Sequence, residues 1–128
     1  MKPVFLDTGV FIRHIRSPAP NSLLRKLLRS DRELYCSVVA YFEVFVGISR
    51  VDDPETLALF SSVHLVDLDV DIIRLAAPLG YGMRKDRIQI PPPDLFIAAT
   101  CIYFDAELAT FDAKHMPRVP GLQLYSHT

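Results

Sequence analysis

The stretch that decides the fold is PVFLDTG, residues 3–9. Its first four residues, Pro3 to Leu6, are all apolar and do not alternate with polar residues, so they predict a strand buried on both faces. Such strands belong to parallel sheets that carry helices on both sides. Asp7, Thr8 and Gly9 close the run, which places an acidic side chain directly after the strand.

Outward from this strand, short apolar runs alternate with longer helical patterns. Further strands are predicted at Leu34–Cys36, His64–Leu68, Glu107–Thr110 and Leu122–Leu124. Helices are predicted at Val10–Ile15, after a cap at Asn21, at Val38–Ser49 after a cap at Ser37, after Asp52–Glu55, from Asp69 or Asp71 to about Met83, and at Leu95–Tyr103. Residues 84–93 and 111–121 are expected to be loops, the second with one helical turn. This alternation predicts an α/β fold: a three-layer α/β/α sandwich around a central, mostly parallel sheet of four to five strands.

Length and composition indicate one globular domain spanning residues 1–128. Half of the residues are apolar and 23% are charged, which excludes a disordered or fibrous chain. The longest apolar stretch between charges, Leu95–Phe104, is too short to span a bilayer, and the first fifteen residues lack the order of a signal peptide. Cys36 and Cys101 lie among apolar residues and are typical of buried thiols in a reducing compartment. We therefore expect a cytoplasmic protein without a membrane partner.

The charge is unevenly distributed along the chain, although the total is only −1. Residues 1–32 hold seven Lys and Arg against two acids, a net +5, and the remainder holds seven against thirteen, a net −6. A polyanionic partner such as RNA therefore remains possible. The basic side chains Arg13, Arg84 and Lys85 are the candidates for phosphate contact, Arg13 in the basic segment and the other two just ahead of Asp94.

Four acids stand out by their positions in the predicted fold. Asp7 and Asp112 follow strands, Asp94 starts a helix, and Glu43 is the only charge in an otherwise apolar helix. The carboxyl ends of parallel strands meet at one edge of a sheet, where ligands bind. Taken singly, Asp7 and Asp94 could be helix caps, Asp112 a turn residue, and Glu43 the partner of Arg50. Four such acids directed to one end of the fold favour a shared site.

Clustered carboxylates repel each other, so this site predicts a hard divalent cation, Mg²⁺ or Mn²⁺. An ion held in this way suits phosphodiester cleavage by metal-activated water. The hydroxyls of Thr8, Ser37 and Thr110 are close enough in sequence to support the ligands. No Cys/His spacing resembles a zinc site.

At this point the chain resembles the PIN-domain family, and in particular the VapC-like toxins of VapBC toxin–antitoxin pairs. The matching segments, in chain order, are residues 4–8, 37–47, 93–100 (PDLFIAAT), 108–112 and 117–122. The resemblance implies an Mg²⁺- or Mn²⁺-dependent endoribonuclease whose metal is held by Asp7, Glu43, Asp94 and Asp112. It also implies a homodimer that is silenced by a cognate antitoxin protein.

The chain departs from the family pattern at three positions. Ala40 stands where a hydroxyl is frequent, Phe111 replaces a residue that is often polar or basic, and His115 falls where an acid sometimes occurs. His115 could supplement Asp112, but a solvated histidine is the simpler expectation. Two other functions remain open: a receiver-like phosphoacceptor domain using Asp67 or Asp69, and a PIN module that binds RNA or protein without cleaving it.

Overall fold

The structure is a computed structural model that describes residues 1–50 and 52–127. Its strands are β1 (Val4–Leu6), β2 (Leu34–Ser37), β3 (His64–Val66), β4 (Glu107–Ala109) and β5 (Gln123–Leu124). Its helices are α1 (Thr8–Arg16), α2 (Leu23–Arg29), α3 (Val38–Ile48), α4 (Pro54–Leu59), α5 (Val70–Lys85) and α6 (Pro92–Tyr103), with 3₁₀ turns at Phe60–Ser62 and Met116–Arg118.

The five strands form one sheet in the order β3-β2-β1-β4-β5, and every neighbouring pair is parallel. The strand quoted first, β1, lies at the centre, with Val4 opposite Leu34 on one side and Glu107 on the other. Within residues 1–50 and 52–127, six helices flank the sheet, so the predicted α/β class is confirmed. Because all strands are parallel, their carboxyl ends share one edge, and that edge positions the site.

The core is built on both faces of β1. Val4, Phe5 and Leu6 are at most 1% exposed, as expected for a strand covered on both sides. The ring of Phe5 stacks at 5.5 Å on Tyr35 and at 5.9 Å on Phe104. The free thiols of Cys36 and Cys101 are buried. In the described part of the chain, no helix combines the length and apolar character needed to cross a membrane.

Several predicted boundaries are wrong for identifiable reasons. Ser22, not Asn21, caps α2, because its hydroxyl accepts the N–H of Arg25. Helix α5 continues through Lys85, so Arg84 and Lys85 are helical instead of lying in a loop. Helix α6 begins at Pro92, since a proline in the first turn lacks only an N–H that would have no helical partner. The expected loop of residues 84–93 is therefore much shorter.

Candidate active site

Asp7 anchors the site at the carboxyl end of β1. It is the N-cap of α1, where its Oδ1 accepts the N–H of Thr8 at 2.9 Å. Its Oδ2 accepts the hydroxyl of Thr110, which follows β4, at 2.6 Å. The residue is only 6% exposed. Burial raises the pKa of Asp7 above its ordinary value, although both hydrogen bonds oppose the increase. The capping role foreseen as an alternative is thus present, and it coexists with a buried carboxylate aimed at the strand edge.

Glu43 reaches the same place from helix α3. The hydroxyl of Thr8 donates to Glu43 Oε1 at 2.8 Å, which links the glutamate to the residue beside Asp7. The alternative partner, Arg50, instead forms an ion pair at 2.9 Å with Asp53. Glu43 is therefore a half-buried carboxylate whose described contact is a hydroxyl and not a cation.

Asp94 is the third residue of α6 and lies in its first turn, whereas the cap position is Pro91. Burial, followed by the negative charges of Asp7, Glu43 and Asp112, raises the pKa of Asp94 to about 6. Because the charges of the three other acids all act on Asp94, the four carboxylates lie near one another. Raised carboxylate pKa values of this kind are concentrated at functional sites.

Asp112 is held by a tight turn after β4. Its Oδ1 accepts the N–H groups of Lys114 at 2.9 Å and His115 at 2.8 Å, and its own N–H donates to the Thr110 hydroxyl at 2.9 Å. Its Oδ2 lies 3.0 Å from Nδ1 of His115. Partial burial acts to raise the pKa of Asp112, but the hydrogen bonds from His115 and Lys114 outweigh it and hold that pKa below its usual value. The turn and the site roles of this residue therefore coexist.

His115, for which a solvated position was the simpler expectation, lies beside Asp112. Its side chain is 25% exposed and contacts Asp112 directly. One ligand atom from each of Asp94, Asp112 and His115 lies within 4.8 Å of the others. The signal that could have located it is the i, i+3 spacing, because an aspartate that accepts the N–H of residue i+3 brings that residue over itself.

The supporting hydroxyls divide into two groups. Thr8 and Thr110 each connect to the acids, Thr8 to Glu43 and Thr110 to Asp7. Ser37 instead caps α3, its Oγ accepting the N–H of Val39 at 3.1 Å. Within the described residues, no hydrogen bond joins Ser37 to any of the four acids. Its hydroxyl is used by the helix terminus, as its position directly before α3 requires.

The candidate phosphate contacts lie on two sides of the acids. The Arg13 guanidinium lies 4.3 Å from the ring centre of Phe111, the neighbour of Asp112. Arg84 and Lys85 are exposed on the last turn of α5. Arg84 also lines a groove of about 980 Å³ that includes Tyr81, Leu95 and His115. Arg13 therefore contacts the neighbour of Asp112, and Arg84 lines a groove that includes His115.

The donor set fits a hard divalent ion. Asp94, Asp112 and His115 bring ligand atoms within 4.8 Å of one another, and the charges of Asp7 and Glu43 act on Asp94 from nearby. Hydrogen bonds from protein groups occupy both oxygens of Asp7 and one oxygen each of Glu43 and Asp112. The elevated pKa of Asp94 indicates negative charge that these groups leave uncompensated. Oxygen-rich sites of this kind are typical of Mg²⁺ and Mn²⁺.

Comparison with known proteins gives concordant matches. A family model described as PIN domain matches residues 4–122. Ribonuclease VapC19 of Mycobacterium tuberculosis is 33% identical over 119 residues, which cover 92% of this chain and 95% of the relative. Ribonuclease VapC10 of the same organism is 28% identical over 120 residues, covering 94% and 90%.

Solved structures also share the fold. DNA-bound VapBC from Salmonella typhimurium superposes with a TM-score of 0.81 at 21% identity, covering 98% of both chains. VapC20 of Mycobacterium tuberculosis, described as a Sarcin-Ricin loop cleaving toxin, has a TM-score of 0.67 at 14% identity, covering 94% of this chain and 98% of that one. At these identities the likeness establishes the fold alone.

Proposed function

The chain belongs to the PIN-domain family, and from this membership we propose that it is a metal-dependent endoribonuclease, the toxin of a VapBC-type toxin–antitoxin pair. Its relatives carry the name ribonuclease, and VapBC complexes are among its structural neighbours. In this proposal, the chain is a single PIN-like nuclease domain that acts in the cytoplasm as a homodimer. Its partners are an RNA substrate and a cognate antitoxin that silences it.

The observation that carries this proposal is the convergence of four acids at one edge of the sheet. Asp7, Glu43, Asp94 and Asp112 would hold the ion, with Mg²⁺ and Mn²⁺ as the candidates. When bound, such an ion stabilises charge on a phosphoryl oxygen and makes hydroxide available near neutral pH. The raised pKa of Asp94 supports this assignment, because an adjacent cation would relieve the repulsion that produces it.

The remaining residues of the site orient the acids. Thr8 donates its N–H to Asp7 and its hydroxyl to Glu43, so one residue fixes two carboxylates from different elements. Thr110 fixes both Asp7 and the backbone of Asp112. Orientation of this kind lowers the reorganisation needed when substrate and ion bind. Arg13, Arg84 and Lys85 would contact the RNA phosphates around this centre.

The structure favours this function over the two alternatives. A receiver-like domain would use Asp67 or Asp69, but the carboxylate of Asp69 accepts the N–H of Ile72 as the N-cap of α5. The sheet order also differs from the 2-1-3-4-5 order of flavodoxin-like folds. In a binding module without catalysis, no bound ion would compensate the repulsion among the four acids.

The proposal is tested by expressing the chain alone in its native host and mapping RNA cleavage. Wild type and the control Asp71→Asn, an exposed acid of α5, should both arrest growth and produce discrete RNA cuts. Glu43→Gln should abolish both effects at unchanged protein level, with a loss of at least about 10²-fold for an essential site group. Harmless expression of the wild type, or equal activity of Glu43→Gln, would contradict the proposal.

A further inference from the structure

We infer that His115 is a nitrogen ligand of the metal centre and makes this centre prefer a transition ion, with Mn²⁺ as the probe, over Mg²⁺. The inference rests on the proposed function for the location of the centre, but it concerns ion selection and not RNA cleavage. Among the described residues, the group of ligand atoms within 4.8 Å of each other contains two carboxylates and one imidazole, from Asp94, Asp112 and His115.

The hydrogen bonds of Asp112 determine which of its atoms can face an ion. Two backbone N–H groups, from Lys114 and His115, already donate to Oδ1. Oδ2 accepts no backbone N–H, and its partner is Nδ1 of His115 at 3.0 Å. An ion bound by both atoms would replace this hydrogen bond. In an octahedral ion with bonds of about 2.1 Å, adjacent ligand atoms lie about 3 Å apart. The pair already has the spacing of two neighbouring ligands.

The backbone keeps the imidazole in this position. The N–H of His115 is bound to Asp112, and His115 directly precedes the 3₁₀ turn at Met116–Arg118. The side chain of Met116 is fully buried, which anchors that turn in the core. The backbone of His115 is therefore held beside Asp112, which keeps the imidazole within reach of an ion at this site.

The chemistry of the donor set gives the selectivity. Mg²⁺ takes oxygen ligands and usually keeps several waters. Imidazole binds first-row transition ions more readily than it binds Mg²⁺, and Mn²⁺, although it is the weakest of them and also favours carboxylates, shares this tendency. A neutral nitrogen beside two carboxylates thus strengthens Mn²⁺ binding more than Mg²⁺ binding. The competing interpretation is that His115 only orients Asp112 through their hydrogen bond, which would affect both ions equally.

The test measures ion binding without RNA. The full-length chain, stripped of metal, is titrated with Mn²⁺ and separately with Mg²⁺ in a calorimeter, for wild type, His115→Asn, His115→Asp and the control His64→Asn, an exposed histidine on β3. His115→Asn should weaken Mn²⁺ binding by about 10-fold or more, with a much smaller change for Mg²⁺. His115→Asp, which offers oxygen instead, should strengthen Mg²⁺ binding and narrow the difference between the ions. His64→Asn should match the wild type.

A spectroscopic measurement supplies the direct signature. Electron spin echo envelope modulation of bound Mn²⁺ should show coupling to a ¹⁴N nucleus in wild type and lose it in His115→Asn. Equal weakening of both ions by His115→Asn, or no ¹⁴N coupling in the wild type, would overturn the inference and leave the proposed nuclease intact. Failure of the wild type to cleave RNA would instead contradict the proposed function and leave a measured ion preference standing.

Discussion

At the scale of single residues, Asp94 is the acid of the site whose pKa is most strongly raised. Its pKa rises from 3.8 to about 6 on folding, so the folded state binds its proton more tightly than the unfolded chain. The stability contributed by that proton is present at low pH and is lost as the pH rises toward 6. In the absence of metal, Asp94→Asn should therefore raise the melting temperature above that of wild type at about pH 7, with the gap closing toward about pH 4.

The measurement is thermal unfolding followed by circular dichroism across that pH range, with EDTA present. The control is Asp71→Asn, which alters an exposed acid in the first turn of α5. Its difference from wild type should not follow the same pH course. A difference between Asp94→Asn and wild type that is independent of pH would show that the repulsion at this site is absent.

Position in the predicted fold was enough to expect the four acids near one another, since three lie at one end of the sheet and Glu43 enters from an adjacent helix. The orientation of each acid was not predictable, because it depends on hydrogen bonds between distant residues. Thr110 reaches Asp7 across 103 positions of sequence, and the partner of Glu43 is Thr8, 35 positions away, and not the nearby Arg50. His115 was named as a possible supplement to Asp112, but its residue type favoured a solvated position. The turn set by Asp112 instead places it beside that carboxylate.

At the scale of elements, the close approach of α5 and α6 positions Asp94. A Cβ at Gly80 of α5 would lie 2.6 Å from Cδ2 of Leu95, the neighbour of Asp94 on α6, whereas a Cβ at Gly82 would meet nothing within 4 Å. Both positions are helical, so alanine gains up to about 1 kcal/mol of helix propensity at each. Gly82→Ala should therefore stabilise the protein, and Gly80→Ala should be less stable than Gly82→Ala, because Leu95 must move.

Urea unfolding of the two variants and the wild type checks this expectation. The pair is matched in chemistry and in helix, so the difference between the two variants isolates the contact with Leu95. Equal gains in the free energy of unfolding at both positions would contradict the close packing of α5 against α6.

Prolines account for part of the difference between predicted and observed elements. Pro78 lies inside α5 and removes one hydrogen bond, to the carbonyl of Arg74. Both residues are on the exposed side of the helix, where water can replace that bond. The run ending at Pro93 suggested a loop, yet Pro92 and Pro93 occupy the first positions of α6. Sequence alone could not separate a helix-starting proline from a loop proline, since the distinction depends on tertiary position.

For the whole molecule, alternating elements predicted a parallel α/β sheet, and the five parallel strands agree with it. The order of the strands was not predictable, because local pattern does not encode which strand pairs with which. Ion pairs reduce the number of N-terminal basic side chains that are available to a polyanion. Lys2 pairs with Asp105 at 3.1 Å, and Arg32 pairs with Glu107 at 2.8 Å. Two of the seven basic residues in the N-terminal segment therefore form ion pairs with acids from the rest of the chain.

The central claim is that the converging acids hold a divalent ion on which RNA cleavage depends. The most direct measurement is the cleavage rate of one 5′-labelled RNA by the purified full-length chain, first with Mn²⁺ or Mg²⁺, then after EDTA, then with excess ion restored. We expect cleavage to stop with EDTA and to return with the ion, because the acids alone supply no Lewis acid. Cleavage that continues at the same rate in EDTA would contradict the claim.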